Sequence, residues 1–296
     1  MFYRIMRYTL GPILRVFYRV RSEGANHVPR QGAVILASNH LAVVDSFFTP
    51  LVLPRNVHFL GKAEYFTGKG VKGALVRWFM KGVGTVPVNR SGGRAAEAAL
   101  EAGLQVLEDG RIFGIYPEGT RSPDGRLYKG RTGVARLAIV SGAPLVPMAV
   151  IDTHLAQPKG KIIPKLGAHI GVKFGQPMDF SHLRDKVNDR DTLRAVTDQI
   201  VAAIQELSGQ EYVDIYASVA KTKLAAGEPV VSVADVAAAG APAPADAAEP
   251  APSSAGEAAQ ADDARADEAE GAAAQGAAAQ GEAAAGDEAK GEGAEA

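Results

Sequence analysis

The chain has 296 residues, with 32 basic and 33 acidic side chains and no cysteine, which excludes disulfides, thiolate metal sites and a cysteine nucleophile. The near-neutral total hides a division: residues 227–296 hold 15 acidic and 2 basic side chains, a net of −13, whereas residues 1–226 hold 18 and 30, a net of +12. A basic part of this kind draws phosphates, nucleic acids or anionic lipid headgroups.

The first segment, MFYRIMRYTLGPILRVFYRVRS, is apolar and aromatic but broken by Arg4, Arg7, Arg15 and Arg19. Its uncharged run from Tyr8 to Leu14 is far short of the ~20 residues that span a bilayer, and a signal peptide's clean apolar core is missing. At about 100° per residue the arginines fall on one side of a helical wheel. Phe2, Ile5, Met6, Leu10, Ile13, Phe17 and Val20 take the other side. Residues 1–21 are therefore expected to form an amphipathic helical segment lying in a membrane interface. The plainer alternative is a helix packed on the domain and broken at Gly11-Pro12.

From Ser22 onward, short β-branched runs alternate with longer helical patterns, which predicts an α/β fold with a largely parallel mixed sheet flanked by helices. Strands are expected at 33–38, 57–61, 85–89, 111–116, 145–151 and 169–175. Helices are expected at 45–53, 70–81, 92–109, 131–141 and from Asp191 to about Leu207. Residues 22–225 suffice for one well-cored domain. Past Val236 there is no Val, Ile, Leu, Met, Phe, Trp or Tyr. Residues 226–296, rich in Ala, Gly and Glu, are accordingly expected to be a disordered acidic tail.

In open sheets of this class, function collects at the carboxyl ends of strands. Two candidates follow a predicted strand directly. One is NHLAVVD (39–45), where His40 precedes Asp45 by five positions; the other is YPEGTRSPDG (116–125). Gly, Thr, Ser and Arg in a turn after an apolar strand are the composition in which backbone N–H groups and a guanidinium hold a phosphate. Basic residues flank that turn, with Arg126, Lys129, Arg131 and Arg136 downstream and Lys62, Lys69, Lys72, Arg77, Lys81, Arg90 and Arg94 upstream. Spacing alone also admits a plainer reading, with His40 a loop residue, Asp45 a helix N-cap and Glu118 a carboxylate that braces its loop.

Four blocks in order, NHLAVVD (39–45), GKAEYF (61–66) with GTVPVNR (84–90), YPEGTRS (116–122) and PLVPMAV (144–150), resemble the motif blocks of the glycerolipid acyltransferase family. The resemblance covers the folded part and not the tail. It implies acyl transfer from acyl-CoA or acyl carrier protein to the free hydroxyl of 1-acyl-glycerol 3-phosphate (lysophosphatidic acid), giving phosphatidic acid in phospholipid biosynthesis, with no cofactor beyond that co-substrate. It makes His40 the general base and Asp45 the residue that orients it. Glu118, Gly119, Thr120, Arg121 and Arg90, with Lys129 as a further choice, are expected near the glycerol phosphate, and Pro147 near the acyl donor. Tyr116 stands where phenylalanine is commoner. Peripheral or monotopic attachment at the cytoplasmic face of the cell membrane is the matching expectation.

The chemistry of these residues agrees with that implication. A thioester arrives activated, with a good thiolate leaving group, whereas an alcohol is a poor nucleophile until its proton is removed. One base suffices, and a carboxylate beside it fixes the tautomer and stabilises the imidazolium. No acyl-enzyme is required, in keeping with the lack of Cys and of a G-x-S-x-G elbow. Metal ligation by His40 and Asp45 is a rival use without an evident third ligand, so no metal is expected. A noncatalytic membrane-surface module would explain the basic charge but not the His-Asp pair. A nucleic-acid partner is not expected, because groove-reading motifs are absent. Glycerol 3-phosphate, another lysolipid or a glycolipid remain alternative acceptors.

Overall fold

The computed structural model describes residues 2–82, 84–88, 95–158, 161, 164–232 and 235. In chain order, α1 (Phe2–Phe17) and β1 (Arg21–Glu23) lead to β2 (Val34–Ser38), α2 (Asp45–Val52), β3 (Val57–Lys62), α3 (Glu64–Thr67), α4 (Gly70–Gly82) and β4 (Val86–Val88). There follow α5 (Ala95–Glu108), β5 (Ile112–Ile115), β6 (Leu127–Tyr128), α6 (Gly133–Ser141) and β7 (Leu145–Ile151). The remaining elements are α7 (Thr153–Ala156), β8 (Gly171–Phe174), α8 (Arg190–Ser208), β9 (Tyr212–Val213) and α9 (Ala217–Ala225).

The main sheet has the order β1-β8-β7-β2-β5-β3-β4. All its pairs are parallel except β7 with β8. The fold is therefore α/β, with a largely parallel sheet. Strand β2 shows why: all five of its residues are buried, and they alternate between two apolar clusters. Ile35 and Ala37 join a cluster with residues of α5, α6 and α8. Val34 and Leu36 face the opposite way, with Leu53, Val57, Phe59, Ile112, Val146 and Met148. A strand apolar on both sides needs cover on both sides, as a parallel sheet between helices provides.

This topology positions the site. The chain leaves β2 for β3 and β4 on one side, returns to β5 beside β2, and then crosses to β7 on the other side. The carboxyl ends of β2 and β5 thus lie next to each other, with Ala37 in register with Ile115. The segments that follow them, residues 39–45 and 116–122, are brought side by side.

Two expectations change. Helix α1 runs through Pro12 in one piece, so the break at Gly11-Pro12 does not occur. Gly11 and Tyr18 are buried and Leu14 packs with Phe48 and Val44, while Tyr8, Ile13, Val16 and Phe17 are exposed. The folded part also extends past residue 225. Val230 joins an apolar cluster with Tyr128, Val213, Ala217 and Ala220, its carbonyl accepts from Arg126 Nη1 at 2.9 Å, and Ser232 is buried. The apolar contact of Val230 and the bond from Arg126 together tie this stretch to the domain. The rest of the expected tail, 236–296, lies outside the described residues.

Candidate active site

His40 lies just past β2 and Asp45 is the first residue of α2. Asp45 is fully buried and does not act as an N-cap; its carboxylate turns back onto the loop. Oδ2 accepts from Leu41 N at 2.7 Å, Ala42 N at 2.9 Å and His40 Nδ1 at 2.9 Å. An ionised carboxylate only accepts, so Nδ1 carries the imidazole proton and Nε2 keeps its lone pair. The imidazole is 17% exposed, which leaves it accessible from one side while its partner is sealed at 0%.

The loop after β5 grips the same residue through its backbone. Glu118 Oε1 accepts from His40 N at 3.1 Å, and Oε2 accepts from Tyr128 N at 3.2 Å. Ser122 N donates to His40 O at 2.8 Å. Burial pushes the Glu118 carboxyl up to about 8; the two N–H bonds work against that shift, and the charges of Asp45 and Asp124 add to it. Glu118 therefore has the bracing role that spacing alone admitted. Its polar contacts are spent on holding His40 and β6.

The imidazole also has a ring against its face. Tyr116 stacks on His40 with centroids 3.8 Å apart and planes 8° apart, and Phe59 stacks on Tyr116 at 5.3 Å. Tyr116 Oη shares a hydrogen bond of 2.8 Å with Ser46 Oγ on α2. Gly114 makes room for this stack, since a Cβ there would lie 2.2 Å from the Phe59 ring. Asn39 pins the loop to β7 from below: its Nδ2 donates to Val150 O at 2.9 Å and its Oδ1 accepts from Val150 N at 2.8 Å.

The expected phosphate residues divide. Gly119 is exposed with φ +75°, and a Cβ there would meet Arg131 Nε at 3.0 Å, so the turn needs glycine on both counts. Thr120 Oγ1 accepts from Lys221 Nζ at 2.6 Å, and Arg121 is half-buried in the same turn. Lys129 is nearly buried and its Nζ pairs with Asp214 Oδ1 at 3.3 Å, which balances its charge on the α9 side. Arg90 lies outside the described residues. Pro147 is not brought to the site: it is buried mid-strand in β7, in register with Ala37, and its carbonyl accepts from Gly175 N at 2.7 Å. Among the described residues, no three His, Asp or Glu side chains are grouped to hold a metal ion.

Comparison with known proteins fits this arrangement. Residues 19–151 match the family model described as Acyltransferase, and they include both the His40–Asp45 pair and the Glu118 loop. Over this span the chain is similar to that family. A 1-acyl-sn-glycerol-3-phosphate acyltransferase of Bacillus subtilis is 28% identical over 213 residues, covering 70% of this chain and 98% of that protein. A chloroplastic 1-acyl-sn-glycerol-3-phosphate acyltransferase of Arabidopsis thaliana is 30% identical over 145 residues, 49% of this chain. The chain spans 39% of the length of that relative and 40% of a Brassica napus counterpart. The fold is shared with the crystal structure of the 1-acyl-sn-glycerophosphate acyltransferase from Thermotoga maritima. The match has a TM-score of 0.50 and 23% identity over 69% of this chain and 82% of that one.

Proposed function

We propose that this acyltransferase moves an acyl group from acyl-CoA or acyl carrier protein to the free hydroxyl of 1-acyl-glycerol 3-phosphate, forming phosphatidic acid. The observation that carries the proposal is the accessible imidazole of His40, whose Nδ1 is held by the buried Asp45 at 2.9 Å beside a Gly-Thr-Arg turn. The acceptor hydroxyl gives its proton to His40 Nε2 as its oxygen attacks the thioester carbonyl. Asp45 stabilises the imidazolium that results. Collapse of the tetrahedral intermediate breaks the C–S bond, the thiolate departs, and the imidazolium proton leaves with it. The relatives named above support the acceptor, and the turn chemistry supports a phosphate on it.

The same reading puts the protein on the cytoplasmic face of the cell membrane as a peripheral or monotopic protein. No helix among the described residues is long and apolar enough to cross a membrane. Two helices carry exposed apolar side chains suited to shallow insertion: Tyr8, Ile13, Val16 and Phe17 on α1, and Val71, Leu75 and Trp78 on α4. Exposed Lys69 and Lys81 bracket α4 and suit anionic headgroups. Incubating the purified protein with lysophosphatidic acid and oleoyl-CoA should yield phosphatidic acid by mass spectrometry. A product formed only from glycerol 3-phosphate, or from another lysolipid, would move the acceptor assignment, and no transfer from any thioester would overturn it.

A further inference from the structure

We infer that Gln210, outside the span that matches the family model, is a positioning residue for the reaction: its amide ties together the two loops that fix the backbone of His40. This rests on the reaction proposed above and adds to it a residue from the far end of α8.

Gln210 Oε1 accepts from Asn39 Nδ2 at 2.7 Å, and Gln210 Nε2 donates to Gly125 O at 2.6 Å. Asn39 directly precedes His40 and is fully buried. Its amide hydrogens go to Val150 O and Gln210 Oε1, and its Oδ1 accepts from Val150 N and Ser38 Oγ. Both N–H groups and both lone pairs are used, so this side chain has one orientation. Gly125 belongs to the other loop. Its N donates to Ser122 Oγ at 3.0 Å, and Ser122 Oγ donates to Arg126 O at 2.7 Å. Ser122 N in turn donates to His40 O at 2.8 Å. His40 is thus held along the chain from Asn39 and through space from Ser122, and one glutamine amide joins the two routes.

The fold presents Gln210 rigidly. Helix α8 is sunk in the core through Ile200, Val201 and Ile204, and it ends at Gly209, whose left-handed φ of +69° turns the chain toward β9. Gly209 N donates to Gln205 O at 2.8 Å and Gln210 N to Ser208 Oγ at 3.2 Å. On the far side, Leu127 N donates to Glu211 O at 2.9 Å, which joins β9 to β6. Gln210 is therefore pinned by a helix cap before it and a strand pair after it. Without its amide, a buried N–H of Asn39 loses its partner, a cost that movement of the loop or entry of water relieves. Either outcome loosens the residue next to the base. General-base transfer needs the imidazole at hydrogen-bond distance from the acceptor hydroxyl, and a displacement of about 1 Å costs about 10²-fold in rate.

The full-length protein is assayed with lysophosphatidic acid and oleoyl-CoA as wild type, Gln210→Met, Gln210→Glu and Val196→Ala. Methionine keeps the volume and loses both bonds, whereas glutamate keeps an acceptor for Asn39 and loses the donor to Gly125. Val196 is buried on the same helix, away from both loops, so Val196→Ala reports on lower stability alone. Both Gln210 variants should lower kcat at least about tenfold, with both KM values within about twofold of wild type. Val196→Ala should lower Tm and keep kcat. Proton NMR then follows the His40 Nδ1–H signal, identified by its disappearance in His40→Ala. That proton should exchange with water faster in both Gln210 variants and at the wild-type rate in Val196→Ala. Unchanged kcat in either Gln210 variant, a raised KM without loss of kcat, or an equal kcat loss in Val196→Ala would each overturn the inference. If no acyl transfer is found but exchange quickens in both Gln210 variants, the clamp stands and the reaction falls. If wild type transfers acyl groups and neither kcat nor exchange responds to Gln210, only this inference falls.

Discussion

Replacing Asp45 by asparagine separates charge from tautomer at the base. In the wild type, Oδ2 accepts three N–H bonds of 2.7 to 2.9 Å, while Oδ1 is buried and has no hydrogen-bond partner among the described residues. An amide nitrogen cannot face three donors, so the asparagine oxygen must take the Oδ2 position and its NH2 group the Oδ1 position. His40 therefore keeps its Nδ1 proton and the correct tautomer, and what disappears is the negative charge beside the imidazolium. A bond to a charged group contributes about 1.5–3 kcal/mol and a neutral one about 1, so the transition state loses about 0.5–2 kcal/mol. That corresponds to a kcat about 2- to 30-fold lower. The stranded NH2 group costs about 1–3 kcal/mol of stability, a Tm lower by roughly 2–12 °C for a domain of this size. Acyl transfer kinetics with lysophosphatidic acid in vesicles, together with a thermal scan, measure both. A loss near 10⁴-fold would show that the backbone N–H groups do not hold the tautomer. An unchanged kcat would reduce Asp45 to a loop brace.

The Glu118 carboxyl, raised from 4.5 to about 8 by burial, binds a proton in the folded state that the unfolded state lacks between those values. Its contribution to stability is thus fully present below about pH 4.5 and is lost as pH rises through about 8, at up to about 1.4 kcal/mol per pH unit. Urea midpoints of wild type minus Glu118→Gln should therefore fall over that window, and a flat difference would contradict the assignment. Gly119→Ala combines a left-handed φ of +75° with the approach to Arg131 and should destabilise by about 1–2 kcal/mol while raising acceptor KM; circular dichroism melts and kinetics check it, and a neutral result would mean that the turn relaxes. Val16→Glu and Leu75→Glu, at side chains 75% and 61% exposed, should each reduce sedimentation with anionic vesicles without lowering Tm. Unaltered sedimentation of the double variant would show that neither helix meets the bilayer.

Much of the core fold was readable because buried strands and amphipathic helices write their periods into the chain. The expected strand at 145–151 is β7 itself, and the long helix expected from Asp191 to about Leu207 runs Arg190–Ser208. Elements without such a signal escaped. β1 reads Arg-Ser-Glu and is exposed throughout, β6 and β9 have two residues each, and α9 is weakly amphipathic. At the site, His40 and Asp45 were visible from the resemblance rather than from spacing alone, and the structure joins them by a hydrogen bond of 2.9 Å. Asp45 looked like an N-cap because a cap and a back-turned carboxylate have the same sequence pattern at a helix start. The hydrogen bond from Lys221 to Thr120 was invisible because it spans 101 residues and depends on how α9 docks. Arg131 appeared only as one cation in a run, and its approach to Gly119 is seen only in the structure. Tyr116 was noted as a departure from phenylalanine, yet only the structure joins its hydroxyl to Ser46 and its ring to His40.

The central claim is that His40 takes the proton from the acceptor hydroxyl, and the most direct test is the pH dependence of acyl transfer in wild type and His40→Ala. Wild-type kcat/KM should rise with pH through one ionisation as the imidazole loses its proton. In His40→Ala, kcat should fall about 10²- to 10⁴-fold, that limb should vanish, and CoA binding and Tm should stay near wild type. A folded His40→Ala protein that transfers acyl groups at the wild-type rate with the limb intact would contradict the account.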